Sequence, residues 1–166
     1  RPPTTAEMEA ALRARWGVDP EKARLLARVA GGRLGWAVEA SQSEGLLAER
    51  QERLDLLAAL VADGSRVRRL QAAERLAALS VAELDEVLRL WAGFWRDLLV
   101  WKGGQPEAAY HVDQGERLAQ TAPRLDLEEI QRALQSVLAT RRYLDQNVNQ
   151  RLALEVMLLD LPRLAR

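Results

Sequence analysis

Apolar residues along this chain recur at three- and four-residue spacings, and no convincing run of period-2 alternation is bounded by hairpin turns. The pattern predicts an all-α fold. Thr4 and Glu7 have capping-box spacing for a first helix to about Arg15, and Asp19-Pro20 supplies an N-cap and a first-turn proline for a second. Gly31-Gly32 stops that helix, and a third runs from about Leu34 into Ser41. The small, polar SQSEG that follows is the best boundary candidate, so a three-helix unit over 1–45 is expected to precede a larger helical part over 46–166.

The larger part is equally punctuated. Asp63-Gly64 ends a helix carrying Leu47, Leu54, Leu57 and Val61, and Ser80 with Glu83 opens a long one closed by Gly103-Gly104. Within that helix Leu84, Leu88, Trp91, Trp95 and Leu98 share a stripe, which Val87, Leu90, Phe94 and Trp101 widen to about half the circumference. So broad a face must be buried. Pro106 and Pro123 bracket an irregular or short-helical connection. Asp126 then caps a helix bearing Leu127, Ile130, Leu134, Val137, Leu138 and Leu144, and Asn149 caps the last.

The last helix, in NVNQRLALEVMLLDL (147–161), has more apolar surface than one packing face uses. At about 100° per residue, Leu152, Val156 and Leu159 form one stripe and Leu154, Met157, Leu158 and Leu161 another, with Arg151 and Glu155 in one seam between them. Each large side chain left in water forgoes roughly 1.5–3 kcal/mol, so the second stripe implies a second surface, intramolecular or on another subunit. The stripe expected to face a partner is Leu154, Met157, Leu158 and Leu161. Arg before Glu at i,i+4 is the less favourable order, and a cation near a helix start opposes the macrodipole. Arg151 therefore suits a tertiary or intersubunit carboxylate or carbonyl; a solvated arginine is the plainer alternative. Arg96, centred opposite the broad apolar face of the long helix, could similarly reach a neighbouring subunit or pair within its own chain.

Composition narrows the chemistry. Among 166 residues, 48% are hydrophobic and 29% charged, and Lys plus Arg equals Asp plus Glu at 24 each. A core can be buried, and no global field draws the chain to nucleic acid or an anionic membrane. Cys is absent, which removes disulfides, thiolate zinc sites and cysteine nucleophiles. No apolar run reaches the roughly 18 residues of a membrane span, and RPPTTAEMEA lacks signal-peptide regions, so a soluble, cytoplasmic location is expected. His111 is the only histidine, with Asp113 as a neighbouring ligand candidate. Two ligands do not make a zinc site, so a packed or surface histidine is expected. Carboxylates such as Asp85, Glu86, Asp97, Glu128 and Glu129 read as solvated faces or salt bridges, and no serine lies in a nucleophile elbow. No catalytic residue, cofactor or metal is assigned.

Three segments resemble the clamp loader of bacterial DNA polymerase III, in particular its delta-prime subunit. ARLLARVAGGRLGWAVEA (23–40) looks like the lid of the AAA+ module, FWRDLLVWKGG (94–104) like the long helix of the C-terminal domain, and NVNQRLALEVMLLDL like its last helix. The resemblance implies an AAA+ lid over 1–45 and, over 46–166, a helical-bundle collar through which clamp-loader subunits assemble. It implies gamma/tau and delta subunits as partners in a hetero-oligomer, and the sliding clamp and primed DNA as targets of the whole complex. In ATP-binding members the lid helix after the paired glycines presents a γ-phosphate-sensing Arg; the matching place here is Trp36, with Arg33 about one turn earlier. No GxxxxGK[ST] phosphate loop occurs, so ATP binding is not expected. The implied role is non-catalytic, with Arg96, Arg151, Leu154, Glu155, Met157, Leu158 and Leu161 as interface candidates. Two alternatives remain at this point: a lid and collar from a gamma/tau ATPase subunit, whose last helix is similar, and a helical nucleic-acid binder using Arg66, Arg68 and Arg69 or Arg141 and Arg142.

Overall fold

Helix-start signals read from the sequence become caps in the computed structural model, which describes residues 3–164. Thr4 and Glu7 exchange backbone and side-chain hydrogen bonds ahead of α1 (Thr5–Trp16), and Asp19 accepts the Glu21 N–H ahead of α2 (Pro20–Val29). Ser80 with Glu83 and Asp126 with Glu129 make two further capping boxes, opening α6 (Val81–Lys102) and α8 (Leu127–Leu144). Asn149 accepts the Leu152 N–H at α9 (Gln150–Asp160). Each cap satisfies N–H groups that a helix start leaves unpaired. The other helices are α3 (Leu34–Gln42), α4 (Glu44–Asp63), α5 (Arg66–Ala77) and α7 (Gly115–Thr121). Among the described residues there are nine α-helices and no strand, as the periodicity predicts.

Two local features differ from the expected punctuation. SQSEG is not a loop: extended Ser43 alone separates α3 from α4. The segment after Gly64, to which the sequence pattern gave no helix, is α5, started by Ser65 accepting the Arg68 N–H. Between the two prolines lie α7 and three short 3-10 turns, the short-helical form of the expected connection.

Buried side chains fall into two clusters. Met8 and Leu12 of α1, Leu26 of α2 and several alanines form the first, with Leu46 and Leu47 of α4 packed against it. Leu54, Leu57, Leu60 and Val61, further along α4, belong to the second, so one helix serves both. The second cluster is built on α6, whose Leu84, Leu88, Trp91, Trp95 and Leu98 are buried as the stripe predicts. This helix packs most extensively on α8, and α5 packs on α9.

Polar groups tie this interior together. Arg69 of α5 is 5% exposed and donates to the carbonyls of Leu60, Leu161 and Pro162 at 3.2, 2.6 and 2.9 Å. Its guanidinium thus ties the end of α4, where Leu60 O also accepts the Gly64 N–H, to the Leu161 and Pro162 carbonyls that follow α9. The segment after α9 is held again by Leu164 N–H donating to Val61 O at 3.1 Å. Gly64 turns the chain there at φ +63, and a Cβ on it would stand 2.6 Å from the Arg163 side chain. The positive φ favours glycine there, and any side chain would also have to displace Arg163. Arg50, 5% exposed, forms a bidentate pair with Asp113 at 2.6 and 3.0 Å.

Candidate subunit interface

The two stripes of α9 have opposite fates. Leu154, Met157 and Leu158 are 0% exposed and Leu161 4%, all within the second core. Leu152, Val156 and Leu159 are 56%, 62% and 42% exposed. This corrects the expectation from sequence: Leu154, Met157, Leu158 and Leu161 are held by their own fold, and the stripe open to a partner is Leu152, Val156 and Leu159. The physical reason is width. The inward stripe has four large side chains and continues onto Ala153, itself buried, so it offers its own bundle the greater apolar area.

Arg151 lies along the seam beside the exposed stripe. Its Nε donates to Glu155 at 2.9 Å, and its guanidinium stands 3.5 Å from Glu74 on α5. The Glu155 bond, then the Glu74 charge, raise the Arg151 pKa above the ordinary guanidinium value. Glu74 is thus a tertiary carboxylate within reach, while the Arg151 side chain stays 57% exposed, as a solvated arginine does, and keeps its hydrogen bond within α9. The contact also locates α5: Val67 and Leu70, exposed large apolar residues, lie two turns and one turn before Glu74 on its side of α5. Since α5 runs antiparallel to α9, with Arg69 at the α9 end and Gln150 donating to the Ala77 and Leu79 carbonyls, both helices contribute apolar side chains flanking the ion pair. The exposed large apolar residues of α9 are thus Leu152, Val156 and Leu159, and those of α5 are Val67 and Leu70.

Other sequence candidates are occupied within the chain. Arg96 donates to Asp97 at 2.9 Å and lies over the Tyr110 ring, 4.1 Å from its centroid. Trp36 packs partly buried against the first core, and the Arg33 guanidinium lies 5.4 Å from its ring centroid while pairing with Glu86 of α6. The proposed basic clusters are dispersed: Arg69 is buried on carbonyls, Arg68 pairs with Asp63 at 3.1 Å, and Arg141 pairs with Asp85 at 2.8 Å.

Asp97 is the polar residue whose setting differs most from expectation. It is 0% exposed, accepting the backbone N–H groups of Tyr110 and His111 and lying 2.7 Å from His111 Nδ1. Burial acts to raise its pKa, but the His111 ring and backbone donors outweigh burial and hold the carboxyl below its usual value. Asp97 shares the spacing of Leu90, Phe94 and Trp101, which was the available signal for its burial. Among the described residues no group of three or more His, Cys, Asp or Glu side chains is arranged to hold a metal, and no helix is long and apolar enough to cross a membrane.

Residues 48–163 match the family model for the C-terminal region of the DNA polymerase III delta subunit. No curated protein and no solved structure matches the chain. With the match spanning most of the chain and the entire second core, the chain belongs to the family defined by the C-terminal region of the DNA polymerase III delta subunit, part of the clamp loader.

Proposed function

We propose that the chain is the lid and collar portion of a delta-prime subunit, a non-catalytic assembly module, and that its α5–α9 face joins a neighbouring collar. In this reading residues 1–45 are the lid and 46–166 the collar, and the partners are gamma/tau and delta subunits in a cytoplasmic complex that places a sliding clamp on primed DNA. The observation that carries the proposal is the row Leu152, Val156 and Leu159, left open on a helix whose other stripe is fully used. Val67 and Leu70 broaden that row across the Arg151–Glu74 pair. A collar helix with one face in its own bundle and one turned outward is what assembly in a ring requires.

The delta-prime assignment rests on the lid. Trp36 occupies the place of the sensing guanidinium, and the nearest arginine, Arg33, is committed to Glu86 and stacked on Trp36. Such a lid supports geometry rather than nucleotide sensing. Size exclusion with purified gamma/tau and delta tests the assignment: the chain should enter a complex that retains delta. Displacement of delta from that complex would assign the chain to delta instead, and failure to co-elute with any partner would remove the assembly reading.

A further inference from the structure

Trp91 and Trp95 stand one turn apart on α6 and are both fully buried, yet their indole N–H groups differ. Trp91 Nε1 donates to Arg53 O at 2.9 Å, whereas the buried Trp95 Nε1 has no hydrogen-bond partner among the described residues. Arg117 of α7 holds a second donor in that state: its Nη2 donates to Asp55 at 2.5 Å, while its Nη1 is buried and unpartnered. Trp95 and Arg117 line one cavity of about 30 Å3, bounded also by Leu57 of α4, Phe94 of α6 and Leu164 after α9. The remaining buried N–H without an acceptor, Arg50 Nε, belongs to the Asp113 pair. Two of the three unmet side-chain donors among the described residues thus belong to side chains that border a single space.

The chemistry of these groups restricts what the space takes. Indole and guanidinium nitrogens donate and cannot accept, so an occupant has to present a lone pair. An apolar occupant would leave both donors unmet in a buried place, where that is costly. An anion is disfavoured, because Asp55 already matches the Arg117 charge and Leu57, Phe94 and Leu164 offer only hydrocarbon. Size excludes larger neutral acceptors: the volume exceeds the about 10–15 Å3 that one water needs and is far below the about 300–1,000 Å3 of pockets for organic ligands. Thr121, half-buried on the same wall, brings a hydroxyl that can accept from the occupant in turn. Two donors and one acceptor match the about three hydrogen bonds of a buried water.

We propose that this cavity is a structural water site, in which one water accepts from Trp95 Nε1 and Arg117 Nη1 and donates to Thr121 Oγ1. The water joins α6 to α7 and, through the Arg117–Asp55 pair, to α4, at a place where no direct hydrogen bond ties the Trp95 side chain to either helix. The site stands apart from the exposed row of α9 and does not depend on the delta-prime assignment.

The test is 17O magnetic relaxation dispersion of the 166-residue chain, which counts waters held longer than the protein tumbles and is blind to labile hydroxyl and guanidinium protons. Ala58 also lines the cavity, so Ala58→Leu fills it, while Trp95→Phe removes the indole donor and keeps an aromatic ring. Each variant, with a backbone NMR spectrum still that of the folded chain, should lose dispersion amplitude equivalent to one water per chain. A crystal structure of the wild-type chain should place that water's oxygen about 2.7–3.2 Å from both nitrogens. Unchanged amplitude in the folded variants, or an ion or protein atom between the two nitrogens in the crystal, would overturn the proposal. Should Ala58→Leu fail to fold, Trp95→Phe and the crystallographic oxygen position decide.

Discussion

The two hydrophobic cores differ in what fills them. The N-terminal one sets Met8, Leu12 and Leu26 among five buried alanines, Ala23, Ala27, Ala30, Ala37 and Ala40. The larger one is filled by Trp91, Trp95, Phe94 and many leucines. Alanine lets helices approach closely but removes little apolar area from water per residue. The smaller core accordingly takes Leu46 and Leu47 from α4, and its α2–α3 region reaches the larger one through Arg28 on the Glu107 and Ala109 carbonyls and Arg33 on Glu86. The larger core carries its own stability, whereas the smaller one depends on the junction.

This contrast can be broken most strongly at Trp91, which is fully buried and donates from Nε1 to Arg53 O at 2.9 Å. Trp91→Ala should cost about 3–5 kcal/mol in urea unfolding and destabilise both units, since the smaller leans on the larger. Arg69→Ala comes next: it strips a donor from the Leu60, Leu161 and Pro162 carbonyls and should cost about 3 kcal/mol, with hydrogen exchange rising after α9. Leu26→Ala, at the lower end of the about 2–5 kcal/mol range for buried leucine, should open the N-terminal helices locally while the Trp91 environment stays native by fluorescence.

A smaller effect separates the polar supports of the two regions. The Asp97 pKa is lower in the folded chain than the about 3.9 of an unfolded aspartate, so its contribution is fully present above that value and is lost as pH falls through the folded one. Wild-type stability should therefore drop on acidification below about pH 4, and less steeply in Asp97→Asn, which no longer titrates there. Urea midpoints at successive pH values measure the two slopes.

Much of the fold was legible because it is written in local chemistry. Thr4, Asp19, Ser80, Asp126 and Asn149 act over two or three residues, and the stripe of α6 is wide enough to require burial whatever its partner. The helix α5 was less legible because Arg66, Arg68 and Arg69 mask its apolar stripe as a basic run. Yet Arg69 shares a spacing with Ala72, Ala73 and Leu76, all buried, and its place was the buried face. The same applies to Asp97 between Phe94 and Trp101. A charge on an apolar stripe looks like an interruption until the carbonyls or N–H groups that receive it are known, and those come from segments distant in sequence. For α9, sequence showed two stripes but not which one its own bundle uses; the wider stripe faces inward.

The proposed assembly role requires that Leu152, Val156 and Leu159 form a surface that binds a partner rather than part of the chain's own packing. The most direct measurement is size exclusion of Leu152→Asp, Val156→Asp and their double variant with gamma/tau and delta, alongside urea unfolding of each variant alone. Each single change should alter the chain's own stability by no more than about 0.5 kcal/mol, as at an exposed site, while the double variant loses co-elution. Full complex formation by a folded double variant would contradict the claim.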